Sequence, residues 1–145
     1  HIFGGGTVAN SDVITGFTAD DILLIDESAL VDINLSTDIT AGTEKALAAG
    51  DYIEIAQGGT VVAEHVNIIV TNGYDSVAKA IIGVINSDDG TDVILGFYNT
   101  TSTNYEIYDT GTMQTANTYK LMASFDDITA ATAAATFDET SFMFY

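Results

Sequence analysis

Cysteine and arginine do not occur in this chain of 145 residues, and lysine occurs only as Lys45, Lys79 and Lys120. Without cysteine there is no disulfide framework, no thiolate metal site and no cysteine nucleophile. With three lysines and no arginine, the chain cannot neutralise a phosphate backbone, which argues against nucleic-acid binding and disfavours attachment to an anionic membrane surface. Proline is missing as well, which is unusual for a β protein rich in loops. No run of about 18 uncharged apolar residues is present, so no segment reads as a membrane-inserted helix. The first residues carry neither the basic n-region nor the apolar h-region of a secretory signal, and there is no initiator methionine. We therefore expect His1 to mark a processing boundary with more chain upstream. Histidine is limited to His1 and His65. That is too few for an ordinary zinc site, there is no H-E-x-x-H, and the G-x-S-x-G elbow of a serine triad is absent. His65 reads as an exposed strand residue. No glycine loop leads into a helix as a phosphate site would require.

What the chain does have is acid. Aspartate and glutamate number 21, giving a formal net charge of −18. So many carboxylates on a small domain repel one another unless cations screen or bind them, so bound divalent metal, high ambient salt, or both are the natural remedies. A simply solvated acidic surface is the plainer alternative. Paired carboxylates of the glycosidase kind are uninformative here, because acids are everywhere. The apolar content of 47% and mean hydropathy of +0.26 place the chain among folded proteins. At this length roughly two-thirds of the unfolded surface is buried, enough for one domain with a core of its own.

The most informative stretch runs from Asp12 to Asp26. Two β-patterned runs, Val13-Ile14 and Ile22-Leu23-Leu24-Ile25, are separated by Gly16-Phe17-Thr18-Ala19 and bracketed by carboxylates. Just upstream, Ile2-Phe3 opens onto Gly4-Gly5-Gly6-Thr7. Glycines let the backbone turn tightly with carbonyls pointing inward, and aspartates add hard oxygen donors, a combination suited to Ca²⁺. The stretch resembles the last turn of the glycine- and aspartate-rich repeats of hemolysin-type (RTX) calcium-binding secreted proteins, together with the D-x-I-x-x-F segment that follows them. In that family a nonapeptide, G-G-x-G-x-D-x-U-x, stacks into a parallel β-roll with Ca²⁺ between turns. Here Gly4 to Asp12 keeps the glycines and the aspartate in a different register, and no second copy follows. One turn cannot bury anything by itself, so the segment reads as the edge of a roll. The lack of cysteine fits a group exported unfolded in one step.

Further along, Leu30 to Leu35 alternates as a half-buried strand, and Thr43 to Gly50 is expected as a short helix capped by Thr43 and ended by Gly50. Asp51 to Ala56, Thr60 to Ala63 and His65 to Val70 read as strands separated by Gly58-Gly59 and ended by Asn72-Gly73. Tyr74-Asp75-Ser76 opens a helix from Val77 to Ile85, whose Val77, Ile81, Val84 and Ile85 share one face that Ala78 and Ile82 widen. With Lys79 its only charge, this helix is expected to be largely buried, against a sheet or a neighbouring subunit. Asp92 to Asn99 and Asn104 to Asp109 form a hairpin across Thr100 to Thr103, Thr118 to Phe125 pairs next, and Thr140 to Tyr145 closes the chain as a strand. Thr129 to Thr136 reads equally as helical turn or loop. The expected fold is mainly β: a β-sandwich or β-roll-like single domain over residues 1–145 with one or two short helices. The order of elements in this later half is similar to the C-terminal domain of RTX-type exported proteins. Asp138-Glu139 before Phe142-Met143-Phe144-Tyr145 looks like the acidic-then-apolar ending that export machinery reads, or an ordinary edge strand.

The candidate Ca²⁺ ligands are therefore Asp12, Asp20, Asp21 and Asp26, with carbonyls of Gly4 and Gly5. A second set is Asp88, Asp89 and Asp92 around Gly90, whose spacing departs from the EF-hand loop and favours a helix-to-strand turn. Asp126-Asp127 is weaker. No catalytic residues or organic cofactor are assigned. The resemblance implies a secreted, extracellular or cell-surface structural module that is not an enzyme. Such a module would assemble into a homo-oligomer or polymer through strand edges and the apolar helix, as in a surface layer, filament or adhesin, with no nucleic acid and no membrane insertion. The alternative is the C-terminal cap and export domain of a larger secreted protease or lipase. A carbohydrate-binding surface of tyrosines such as Tyr98, Tyr105 and Tyr108 is a third reading.

Overall fold

A computed structural model describes residues 2–3, 13–25, 44–86, 92–112 and 119–144. Its organising element is a six-stranded sheet in the order β2-β11-β10-β9-β7-β5. The centre of this sheet is an antiparallel meander of β9 (Asp92–Asn99), β10 (Asn104–Thr112) and β11 (Lys120–Phe125). Parallel strands flank it, with β7 (Val66–Ile69) and β5 (Tyr52–Ile55) on one side and β2 (Val13–Ile14) on the other. A four-stranded sheet, β1-β3-β12-β4, combines β1 (Ile2–Phe3), β3 (Leu23–Ile25), β12 (Phe142–Phe144) and β4 (Lys45–Ala46). A parallel ribbon pairs β6 (Thr60–Val61) with β8 (Ile85–Asn86). The helices are α1 (Val77–Gly83) and α2 (Ala130–Thr136). The fold is mainly β, as the alternating pattern predicts, with two short α-helices among the described residues.

Alternation explains why the central sheet is covered on both faces. In β9 the side chains of Val93, Leu95 and Phe97 enter one apolar cluster while Ile94 enters the other. The first cluster lies between the two sheets. Ile14, Val66, Ile68, Ile107 and Phe125 of the large sheet meet Leu23, Ile25, Phe142 and Phe144 of the small one, and Ala133 of α2 and Phe137 join them. That is a β-sandwich. The second cluster sits under α1, where Val77, Ala80 and Val84 pack on Ile69, Val93, Leu95 and Phe97.

The first three strands trace a coil. Ile2, Val13 and Leu24 are spaced eleven residues apart, and the chain passes from the small sheet (β1) to the large one (β2) and back (β3). β3 then lies parallel to both β1 and β12. The spacing is eleven, not the nine of the repeat that the glycine stretch resembles.

Several expectations need correction. Residues 44–50 are not a helix: Lys45–Ala46 is an edge strand paired antiparallel with Met143 and Phe144, and Leu47 is buried with its N–H donating to the Phe142 carbonyl. Helix propensity in Glu44-Lys45-Ala46-Leu47 is a weak preference that tertiary pairing overrides. Gly50 does end the segment, with a positive φ of 98° that a side chain would resist. α1 starts after Ser76, whose Oγ accepts from the Lys79 N–H, but it is only partly buried: Val77, Ala80 and Val84 are covered, and Ala78, Ile82 and Ile85 are exposed. The closing strand β12 is internal, paired on both sides by β3 and β4, not an edge. The stretch that read equally as helical turn or loop is a helix, Ala130–Thr136, with Thr129 as its N-cap. The expected strand Leu30 to Leu35 lies outside the described residues.

Candidate functional site

The structure describes three of the predicted ligands, and the loop between β2 and β3 holds two of them, Asp20 and Asp21. Asp21 turns back on its own loop: its Oδ2 accepts from the Thr18 N–H at 2.8 Å and the Thr18 hydroxyl at 2.9 Å. The Asp21 N–H donates to the Thr18 carbonyl. These bonds to the ionised form, the backbone donor first, hold the Asp21 carboxyl below the usual range. Asp20 beside it is exposed. The weaker pair from the sequence, Asp126-Asp127, anchors the same loop. Asp126 Oδ2 accepts from the Thr15 hydroxyl at 3.0 Å, and Asp127 Oδ2 accepts from the Gly16 N–H at 2.6 Å. The carboxylates of Asp21, Asp126 and Asp127 thus fasten the turn that carries Phe17 into the sandwich core.

Asp92 begins β9, three strands from β2 in the large sheet, and is buried; its carbonyl accepts from the Glu64 N–H. The structure does not bring it together with Asp20 and Asp21. Asp12, Asp26, Gly4, Gly5, Asp88 and Asp89 lie outside the described residues. Among the described residues no three acidic or histidine side chains converge as a metal-ligand group.

Buried polar side chains are spent on the scaffold. Glu106, on the helix-covered face of β10, accepts from the Ser102 hydroxyl at 2.7 Å, the Asn99 amide at 2.8 Å and the Tyr108 hydroxyl at 2.8 Å. This ties the 99–104 hairpin turn to the sheet and satisfies a carboxylate that burial would otherwise penalise. Asn67 closes the 62–65 turn by accepting from the Val62 N–H and donating to the Val62 and His65 carbonyls. His65 is half-buried just before β7, not an exposed strand residue. Its Nδ1 lies 2.6 Å from the Ala63 carbonyl and its Nε2 3.9 Å from Asp51. Sequence reasoning missed Glu106 and Asn67; the signal available was a polar residue at an inward position of an otherwise apolar alternation.

Tyr105 and Tyr108, two of the three tyrosines named for a sugar-stacking surface, are buried. Tyr105 is fully buried, its hydroxyl donating to the Ile69 carbonyl at 2.9 Å, and Tyr108 stacks on Phe97 with centroids 5.7 Å apart. Burial pushes both phenols upward, as it does Tyr52, whose hydroxyl donates to the Phe137 carbonyl. Tyr98 is half-buried. At the chain's acidic ending, Asp138 caps a 3-10 turn. Its Oδ1 accepts from the Thr140 hydroxyl and N–H, and these bonds, the hydroxyl first, lower its pKa.

No helix among the described residues is long and apolar enough to cross a membrane. No protein-family model, curated protein or solved structure matches the chain.

Proposed function

We propose that this chain is a non-catalytic, calcium-binding structural module of a secreted or cell-surface assembly, and that it associates with further copies of itself. The observation that carries this reading is the charge. Three lysines can match at most three of 21 carboxylates, which leaves eighteen to be met by outside cations or by solvent. Lys79 is already committed to Asp75 on the protein surface. The glycine and aspartate donors of residues 4–12 and Asp26 offer oxygens of the type Ca²⁺ takes. The buried Glu106 and Asn67 support a scaffold role, since each holds a turn in place, as does buried Ser141, whose Oγ accepts from the Asp138 N–H.

A second reading, the C-terminal cap and export domain of a larger secreted enzyme, draws support from the N-terminal coil. The strands at the start of the chain, β1 and β2, stand at the ends of the two sheets as ordered among the described residues. Preceding coils would stack there.

Chelation tests the first reading. A cation bound at about 100 times its Kd adds about 2.7 kcal/mol, so EGTA is expected to lower Tm by about 8 °C for a domain of this size. Light scattering in the same titration is expected to show the assembly dissolving. Unchanged melting and unchanged size on chelation would refute the proposal.

A further inference from the structure

Five large apolar side chains are exposed among the described residues, and three of them belong to α1, to β8 and to the residue that follows β6. Ile82 in the last turn of α1 is 83% exposed, and Ile85, three residues on, is 57% exposed. In the parallel ribbon Ile85 stands opposite Thr60, and Val61 turns inward. Alternation sends Thr60 outward on the face that Ile85 shares, and Val62, the residue after β6, follows Thr60 by the same two-residue period. Val62 is also exposed. These are not scattered residues: the helix buries Val77, Ala80 and Val84 beneath and presents a second apolar stripe above.

The charge of the α1–β8 part of this patch sets it apart from the rest of the chain, while Val62 is followed two residues on by the exposed Glu64. From Ser76 to Asn86 there is no carboxylate, and the one charge, Lys79, is paired with Asp75 at the helix start. The segment 75–86 is therefore neutral in a chain of net charge −18. Two copies of such a chain repel wherever their acidic surfaces face, and they can approach closely only where acid is missing. An apolar surface whose α1–β8 segment is neutral, on a strongly acidic protein, suits a partner carrying the same acidity, namely a second copy.

We infer that the Ile82–Ile85–Val62 face is a self-association surface, meeting the same face of a second copy in a two-fold interface. This deepens the proposed function and rests on its self-assembling module; it names the surface. Like patches meeting about a two-fold axis require only self-complementarity, which an apolar stripe provides. Three exposed apolar side chains are few beside the roughly 20–30 residues a side of a standard stable interface, so pairing is weak and concentration-dependent. Salt strengthens it by screening the acidic remainder of each copy.

The test is sedimentation equilibrium of the full chain with Ca²⁺ present and absent, at low and high sodium chloride. It compares wild type with Ile82→Glu and with Ala134→Glu, which adds the same charge at an exposed position of α2. Self-association is expected to weaken by about tenfold or more in Ile82→Glu and to persist in Ala134→Glu. Circular dichroism melting of both variants is expected to match wild type, which separates loss of pairing from loss of fold. Wild type that associates while Ile82→Glu associates equally would overturn the inference and leave the module reading standing. Wild type that stays monomeric in every condition would overturn both. Association that needs Ile82 but ignores Ca²⁺ would support the surface and count against the calcium reading.

Discussion

The two faces of the six-stranded sheet are built alike and finished differently. On one, the four-stranded sheet and α2 seal a core in which Phe137 lies among Phe17, Tyr105, Phe125 and Phe142, with ring centroids 5.3 to 6.0 Å away. On the other, a helix of seven residues and a two-stranded ribbon cover Phe97, Leu95 and Val93 but leave Ile82, Ile85 and Val62 in the open. A sheet buried on both sides needs two covering layers, and here the second layer is thin enough that its outer surface keeps apolar character. The sealed face holds the fold together; the thin one is available for contact.

Truncation at the sealed face carries the largest expected effect. Phe137→Ala removes a ring from the centre of the aromatic group and is expected to cost about 3–5 kcal/mol, read as a Tm loss by calorimetry. A small loss would mean the two sheets are not packed as described. Glu106→Ala comes next, at about 1–3 kcal/mol, because the Asn99, Ser102 and Tyr108 donors lose their common acceptor. Chemical denaturation checks it. Val84→Ala, under the thin layer, is expected to cost about 1–2 kcal/mol, less than any truncation of the aromatic group. If it matched Phe137→Ala, the contrast between the faces would fail. Ile82→Thr closes the series: an exposed side chain that buries nothing is expected to shift stability by less than about 0.5 kcal/mol.

Proton linkage gives a separate handle on both faces. Tyr52 and Tyr105 on the sandwich side and Tyr108 on the helix side have pKa values raised chiefly by burial, so the folded state holds them neutral. Their contribution is fully present below pH 10, the ordinary phenol value, and is lost as pH rises above it toward the folded values. Asp21 and Asp138 have lowered pKa values, so theirs is present above the ordinary value of 3.8 and is lost as pH falls below it. Melting followed from neutral to strongly alkaline pH is expected to fall once the solution passes about pH 10. Tyr105→Phe is expected to flatten that fall.

Much of the middle of the chain was legible because alternation is strict there. Asp92 to Asn99, Asn104 to Asp109 and the run into Phe125 form the hairpin and its neighbour that the pattern predicts. Asn72-Gly73 breaks the preceding strand for a visible reason: a side chain at Gly73 would lie 2.2 Å from the Tyr98 carbonyl oxygen. Pattern cannot say whether a second face is covered, which is why a surface role for Tyr105 and Tyr108 stays open as a third reading and Ile82 reads as buried. Nor can it see pairing between distant segments. β12 lies between β3 and β4, and this long-range pairing turned a helix-favouring Glu44-to-Leu47 into a strand and made the last strand internal. The candidate ligand set was the least legible part. Asp20 and Asp21 fall on one loop and Asp92 three strands away, and acid abundance gives no spacing signal that would join or separate them.

The acid excess either binds calcium specifically or is merely screened, and melting at matched ionic strength separates these outcomes most directly. The account predicts that chelated protein gains several degrees in Tm with CaCl₂ and markedly less with NaCl of equal ionic strength. Equal gains in both salts would contradict it, because screening alone would then explain how the chain tolerates its charge.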